Sequence, residues 1–149
     1  MAVEDDIFEG DSYFVAETKS VKRVLDFAET SVPCLCFIDE ILKGTNTIER
    51  IAASSSMIHW LNKYPSLAFV ATHDIELTEI LKESCDNVHF EEQVTKEQGV
   101  TFDYRLKQGP ATSRNVIQLL HVLNYPKSVV EQAKREADYF DEHRTWQTL

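Results

Sequence analysis

The stretch Cys34-Leu35-Cys36-Phe37-Ile38-Asp39-Glu40 decides the reading of this chain. It is a short apolar run, bounded upstream by Pro33, that ends abruptly in two adjacent carboxylates. A run of this length and character is expected to be a strand buried on both faces. Two charges in the middle of such a strand would be costly to bury. At its carboxyl end they fit, because ligands of open α/β sheets bind there. One carboxylate can hold a hard cation such as magnesium, and its neighbour can orient or deprotonate a water. The same pattern also describes an ordinary strand leaving a core.

Working outward, Asp11 or Ser12 can cap a helix. Phe14, Val21, Val24, Leu25 and Ala28 then recur on one helical face, and the helix is expected to end near Thr30. Downstream of the carboxylates, Gly44 allows a turn. Asn46 and Glu49 have the spacing of a capping box, which starts a helix at about Thr47. Its expected buried stripe is Ile48, Ile51, Ala52, Ser55, Ile58 and Leu61. Leu67 to Thr72 is a second apolar strand. Strand, helix, strand over this length predicts a right-handed βαβ unit with parallel strands. Asp39 and Glu40 should then share one crevice with Thr72, His73 and Asp74. In that crevice His73 can bond a phosphate oxygen or a water. His73 can equally lie at a helix start that Asp74 caps.

The rest of the chain is expected to be a short helix over 75–83, an antiparallel hairpin from 87–94 and 100–106 around Gly99, and two helices joined at Asn124 to Pro126. Thr112 or Ser113 would cap the first of these helices, and Pro126 suits the start of the second. The helical hairpin would pack on the sheet or on a partner. The acidic lead-in, Met1 to Gly10, is expected to be irregular, and the tail beyond Glu142 to fray.

Composition narrows the function. A chain of 149 residues suits one domain or a large piece of one. A net charge of −10 argues against this piece alone gripping nucleic acid, whose affinity comes largely from Lys and Arg on phosphate. No apolar segment reaches the roughly 20 residues of a membrane span, and the acidic N-terminus is unlike a signal peptide, so a cytoplasmic setting is expected. The three cysteines, Cys34, Cys36 and Cys85, form no disulfide or zinc pattern. Cys34 and Cys36, two apart on a strand, share a face and read as small core residues. No glycine-rich phosphate loop is present, and Lys43-Gly44-Thr45 has its lysine on the wrong side of the glycine.

Four segments carry a resemblance. They are FIDEILKGTNTIERIAAS from Phe37 to Ser54, ATHDIEL from Ala71 to Leu77, GDSYFVAE from Gly10 to Glu17 and LKQGPATSRN from Leu106 to Asn115. In sequence, order and separation they resemble the MutS family, DNA mismatch repair ATPases related to the ABC group. The resemblance implies an α/β fold: part of a P-loop NTPase domain, with a parallel βαβ core, a following β-hairpin and a C-terminal helical hairpin. Residues 1–110 would belong to the ATPase domain and 111–149 to the helical hairpin, a packing or dimerisation element.

It also implies roles. Asp39 would be the Walker B aspartate on magnesium, and Glu40 would polarise the attacking water. His73 would be the switch-loop histidine, and Thr45 and Asn46 would lie in the loop that crosses to a second MutS-like subunit. Ser12 would reach nucleotide bound on that subunit. ATP and Mg2+ would be the cofactors of the intact protein, and DNA would be bound by regions absent here. The Walker A loop would lie upstream of Asp5. The chain therefore reads as the C-terminal part of a larger polypeptide, inactive alone. Phe90 and Glu92 match the family's mismatch-reading spacing by chance, since that motif belongs in an N-terminal domain.

Leu42-Lys43 stands where the mismatch-repair branch has Gly-Arg, which leaves open a divergent branch acting on recombination or other DNA structures. The competing reading is a non-catalytic interaction or dimerisation module. A magnesium-dependent hydrolase unrelated to ATP would need more carboxylates near Asp39.

Overall fold

A computed structural model describes residues 13–30, 32–95, 99–111 and 115–148. The expected lead-in at Met1 to Gly10 and the caps assigned to Asp11, Ser12, Thr112 and Ser113 lie outside these residues. The chain divides into two compact units between Asn87 and Val88.

The first unit begins with α1 (Tyr13–Glu29), followed by β1 (Cys34–Asp39), α2 (Thr47–Leu61), β2 (Ser66–Ala71) and α3 (Ile75–Ile80). β1 and β2 are parallel and in register from Cys34↔Ser66 to Asp39↔Ala71. The ladder's two strands therefore end level, and Glu40 N–H continues it by donating to the Ala71 carbonyl at 2.9 Å. α2 starts where the capping box predicts. Asn46 Oδ1 accepts from Glu49 N–H at 3.0 Å while Asn46 Nδ2 donates to Glu49 Oε2 at 2.7 Å, satisfying an amide the helix leaves open.

The core is Val21 and Ala28 of α1, Ile38 of β1, Ile41 and Leu42 beyond it, and Leu61 of α2. Cys34, Ala68 and Val70 pack against this cluster. Cys34 and Cys36 are free thiols, and burial, then the neighbouring Cys34, pushes the Cys36 thiol up.

Two expectations need correction here. β1 is covered on one face only: Leu35, Phe37, Leu67 and Phe69 are all more than half exposed on the other, with Phe37 and Phe69 stacked at 5.2 Å. The described helices pack on the Ile38 face, so the strands alternate rather than reading as buried throughout. The buried stripe of α2 is met at Ile58 and Leu61 but not at its start. Ser54 is fully buried, with its Oγ 3.5 Å from the Ile41 carbonyl, while Ile48 is 83% exposed.

The turn expected at Gly44 is present, spanning residues 41–44. The left-handed residues are Glu40 (φ 49) and Leu42 (φ 57). Gly44 itself is not left-handed, and a Cβ there would lie 3.4 Å from Phe14 Cβ, at contact distance. Leu42 keeps a conformation that costs a non-glycine residue roughly 1–2 kcal/mol, which the burial of its side chain offsets.

The second unit contains β3 (Val88–His89), β4 (Glu92–Thr95), β5 (Gly99–Phe102), β6 (Lys107–Gln108), α4 (Val116–Val122) and α5 (Lys127–His143). The expected hairpin is present but split into two antiparallel pieces, β4 with β5 and β3 with β6. The break on the returning strand includes Tyr104 at φ 54. β3 and β6 are tied by charge. Lys107 Nζ reaches Glu91 at 2.6 Å and Asp103 at 3.1 Å, and His89 Nδ1–H donates to the Gly109 carbonyl at 2.8 Å. Lys107, then His89, holds the Glu91 carboxyl below its usual range.

α4 rests on β4 and β5. Asn115 Nδ2 donates to the Glu92 carbonyl at 3.1 Å, and Gln118 Nε2 donates to the Val94 carbonyl. Asn124 (φ 59) turns the chain before Pro126 opens α5. Beyond α5 the chain through Thr148 has no regular secondary structure and is exposed, with Trp146 stacked on Phe140 at 4.4 Å. Among the described residues no helix is long and apolar enough to cross a membrane.

The left-handed Leu42 makes a test of this fold. Leu42→Ala should destabilise the chain by about 2–5 kcal/mol through the cavity it leaves. Leu42→Gly should lose about 1 kcal/mol less, because glycine is free of the left-handed penalty. Urea unfolding of both variants checks the order, and an alanine variant more stable than the glycine variant contradicts the strained turn.

Candidate active site

The level carboxyl ends of β1 and β2 bring distant residues to one rim. Glu40 leaves β1, and Thr72, His73 and Asp74 leave β2. A crevice there is lined by Glu40, Ile41, Lys43, Arg50, Thr72, His73 and Asp74. His73 Nε2 lies 3.0 Å from Glu40 Oε1. Lys43 Nζ lies 2.5 Å from the other oxygen, Glu40 Oε2. The Glu40 side chain is 22% exposed, whereas that of His73 is 92% exposed. His73 is therefore held by its backbone and by the carboxylate rather than by packing.

Lys43 beside it holds the Glu40 carboxyl below the usual carboxylate range. Partial desolvation opposes this, the Lys43 and His73 charges add to it, and Asp74 counters it. A carboxylate so held remains ionised at neutral pH.

Asp74 does not do what its position suggests. It is the N-cap residue of α3 but makes no side-chain cap bond. Its carboxylate turns instead to Arg50 of α2. Arg50 Nε donates to Asp74 Oδ2 at 2.7 Å and Nη2 donates to Oδ1 at 2.6 Å. Asp74 N–H donates to Thr72 Oγ1 at 3.0 Å. The Asp74 charge, chiefly through these hydrogen bonds, raises the Arg50 guanidinium further above its already high range.

The other expected residues fall in different places. Asp39 ends β1 with an exposed side chain, in step with Leu35 and Phe37 on the open face, and it does not line the Glu40–His73 crevice. Asn46 is engaged as the cap of α2. Thr45, half-buried, precedes it in the same loop. Ser12 lies outside the described residues.

Three participants escaped the sequence reading. Lys43 was visible in principle, three residues from Glu40. The Arg50–Asp74 pair was not, being 24 residues apart with no periodic signal. Glu17 of α1 is 4% exposed, and its Oε1 accepts from Lys43 N–H at 3.2 Å, which ties α1 to the turn after the carboxylates. Its Oε2 is buried with no hydrogen-bond partner among the described residues.

Fold and rim together define an α/β protein whose parallel strands end in a carboxylate–imidazole crevice. The chain belongs to the MutS family: the family model for MutS domain V matches residues 1–141. It is similar to the DNA mismatch repair protein MutS of Aquifex pyrophilus, 33% identical over 129 residues, 85% of this chain and 15% of that protein. Similar too are MutS protein homolog 4 of Homo sapiens, 30% identical over 142 residues, 90% of this chain and 15% of that protein, and the DNA mismatch repair protein MutS of Thermus thermophilus, 28% identical over 134 residues, 90% of this chain and 16% of that protein. The chain thus spans about one sixth of the length of the relatives it matches.

The Lys43–Glu40 contact predicts a titration. Glu40 has a depressed folded pKa, so its contribution to stability is present above the unfolded carboxylate value of about 4.3 and fades as pH falls through the lower folded value. Lys43→Met should raise the Glu40 pKa toward that ordinary value. Carboxyl-carbon NMR titration reads this directly, and an unmoved midpoint contradicts the contact.

Proposed function

We propose that this chain is the C-terminal part of the ATPase domain of a MutS-type protein that acts in DNA mismatch repair. In this reading β1, α2 and β2 are the βαβ core of a P-loop NTPase of the ABC type. The observation that carries it is the 3.0 Å approach of His73 Nε2 to Glu40 Oε1 at the common end of two parallel strands, in a chain of this family.

In this reading magnesium and ATP are held in the intact protein, and this chain supplies part of their site. No group of three or more His, Cys, Asp or Glu able to hold a metal occurs among the described residues. Magnesium does not need one, since it is commonly held by one or two carboxylates together with water and substrate phosphates. Asp39, exposed at the end of β1, offers one such carboxylate. Bound Mg-ATP supplies the transferable phosphoryl group and part of its charge neutralisation.

The chain's own residues do the rest. Glu40 is ionised and oriented by Lys43 and His73, and each of its oxygens keeps lone-pair capacity for a water. It can align that water and take its proton. His73, almost wholly exposed, can turn its ring from Glu40 to donate Nε2–H toward an incoming oxygen. Thr45 and Asn46 border the turn where a second subunit would meet the site, and Ser12 would contact nucleotide on that subunit. DNA would be bound by other parts of the polypeptide, in the cytoplasm. Residues 111–149 would serve packing or dimerisation.

A second reading, a non-catalytic interaction module of a divergent MutS-like protein, draws on the open apolar face formed by Leu35, Phe37, Leu67 and Phe69.

Two measurements test the proposal, and the second separates it from the module. The 149-residue chain should bind Mg-ATP weakly or not at all by calorimetry, as it has no phosphate loop; tight stoichiometric binding contradicts this. In the intact protein that carries the chain, Glu40→Gln should lower kcat for ATP hydrolysis by roughly 100-fold or more with ATP binding preserved. Unchanged turnover favours the module.

A further inference from the structure

We propose that Arg50 and Asp74 form a positioning clamp that sets His73 against Glu40, so that the imidazole–carboxylate distance is dictated from α2. This rests on the reading of Glu40 and His73 as the hydrolytic pair.

His73 is nearly bare of packing, so its place depends on the backbone of the loop after β2. That loop is anchored on its other side by Asp74, the very next residue. The anchor is a planar, two-bond contact to a guanidinium, 2.7 and 2.6 Å long. Such paired geometry fixes direction as well as distance. Both side chains are largely covered, Arg50 at 21% and Asp74 at 13% exposure. Arg50 is itself placed rigidly, since its N–H donates to the carbonyl of the cap residue Asn46 at 2.9 Å. The Asp74–Thr72 bond closes the loop across His73.

Charge points the same way. Asp74 is a second carboxylate facing Glu40 and works against its ionisation. Arg50 offsets that repulsion and feels Glu40 and Glu76 as well as Asp74. The facing charged groups are thus Lys43 and Glu40 after β1, Arg50 on α2, His73 and Asp74 after β2, and Glu76 on α3.

A simple brace between α2 and α3 would show in stability but would leave the imidazole where it is. The clamp predicts more. In the labelled 149-residue chain, a nuclear Overhauser cross-peak should link the His73 ring to the Glu40 γ-methylene. Asp74→Asn and Arg50→Met should both lose it while helical circular dichroism and core cross-peaks persist. The exchanged pair, Arg50→Asp with Asp74→Arg, should recover it. In the intact ATPase, Asp74→Asn should lower kcat about 10- to 100-fold, the scale of a small misplacement of reacting groups, with KM for ATP little changed.

The near-isosteric Asp74→Asn keeps the test open if Arg50→Met fails to fold. The cross-peak is read without nucleotide, so its survival in Asp74→Asn overturns the clamp whatever hydrolysis does. Unchanged turnover in Glu40→Gln overturns the catalytic reading whatever the cross-peak does.

Discussion

The hydrogen bond from Glu40 N–H to the Ala71 carbonyl, 2.9 Å long, is the contact on which the candidate site depends. It extends the parallel ladder one residue past β1 and forces both strands to finish at the same height. Beyond it the chain can no longer run straight. Glu40 and Leu42 turn through left-handed conformations, which swing the Glu40 carboxylate toward the loop leaving β2. A slip of one residue in this register would carry Ile38 out of the core and Leu35 and Phe37 into it. The burial of Ile38, Ile41 and Leu42 therefore holds the geometry of the rim.

Polar groups then refine what the core sets. Lys43 acts on Glu40 through charge, and its own amide is held by Glu17 of α1. Arg50 acts on the opposite loop through Asp74. Three separate segments, α1, the turn and first helical turn of α2, and the loop after β2, thus converge on one carboxylate and one imidazole. Strained backbone at Glu40 fits this pattern, because such conformations persist where their surroundings over-determine them.

Much of the first unit was legible in the sequence. The capping box at Asn46 and Glu49 fixes the start of α2 through reciprocal local bonds, and local bonds are what short-range patterns encode. β1, β2 and their parallel sense followed from apolar runs separated by a helix. The stripe of α2 followed at Ile58 and Leu61, whereas the exposure of Ile48 and the burial of Ser54 did not, since both depend on which elements pack against the helix. The strands' open face was misjudged for a related reason: apolar alternation reports what can be buried, while coverage depends on which elements arrive. In the second unit the hairpin was legible, but its split, which includes the left-handed Tyr104, was not.

The sequence by itself determined the elements, the family and the pairing of a carboxylate strand end with a histidine loop, because each is written in residues close together or in motifs of fixed spacing. Only the tertiary structure decided that Asp39 faces away from the Glu40–His73 crevice, that Asp74 leaves its own helix to bind Arg50, and that Glu17 reaches the turn. Those outcomes depend on register, on which face of a strand a side chain takes, and on contacts between residues more than twenty positions apart, none of which leaves a periodic trace along the chain.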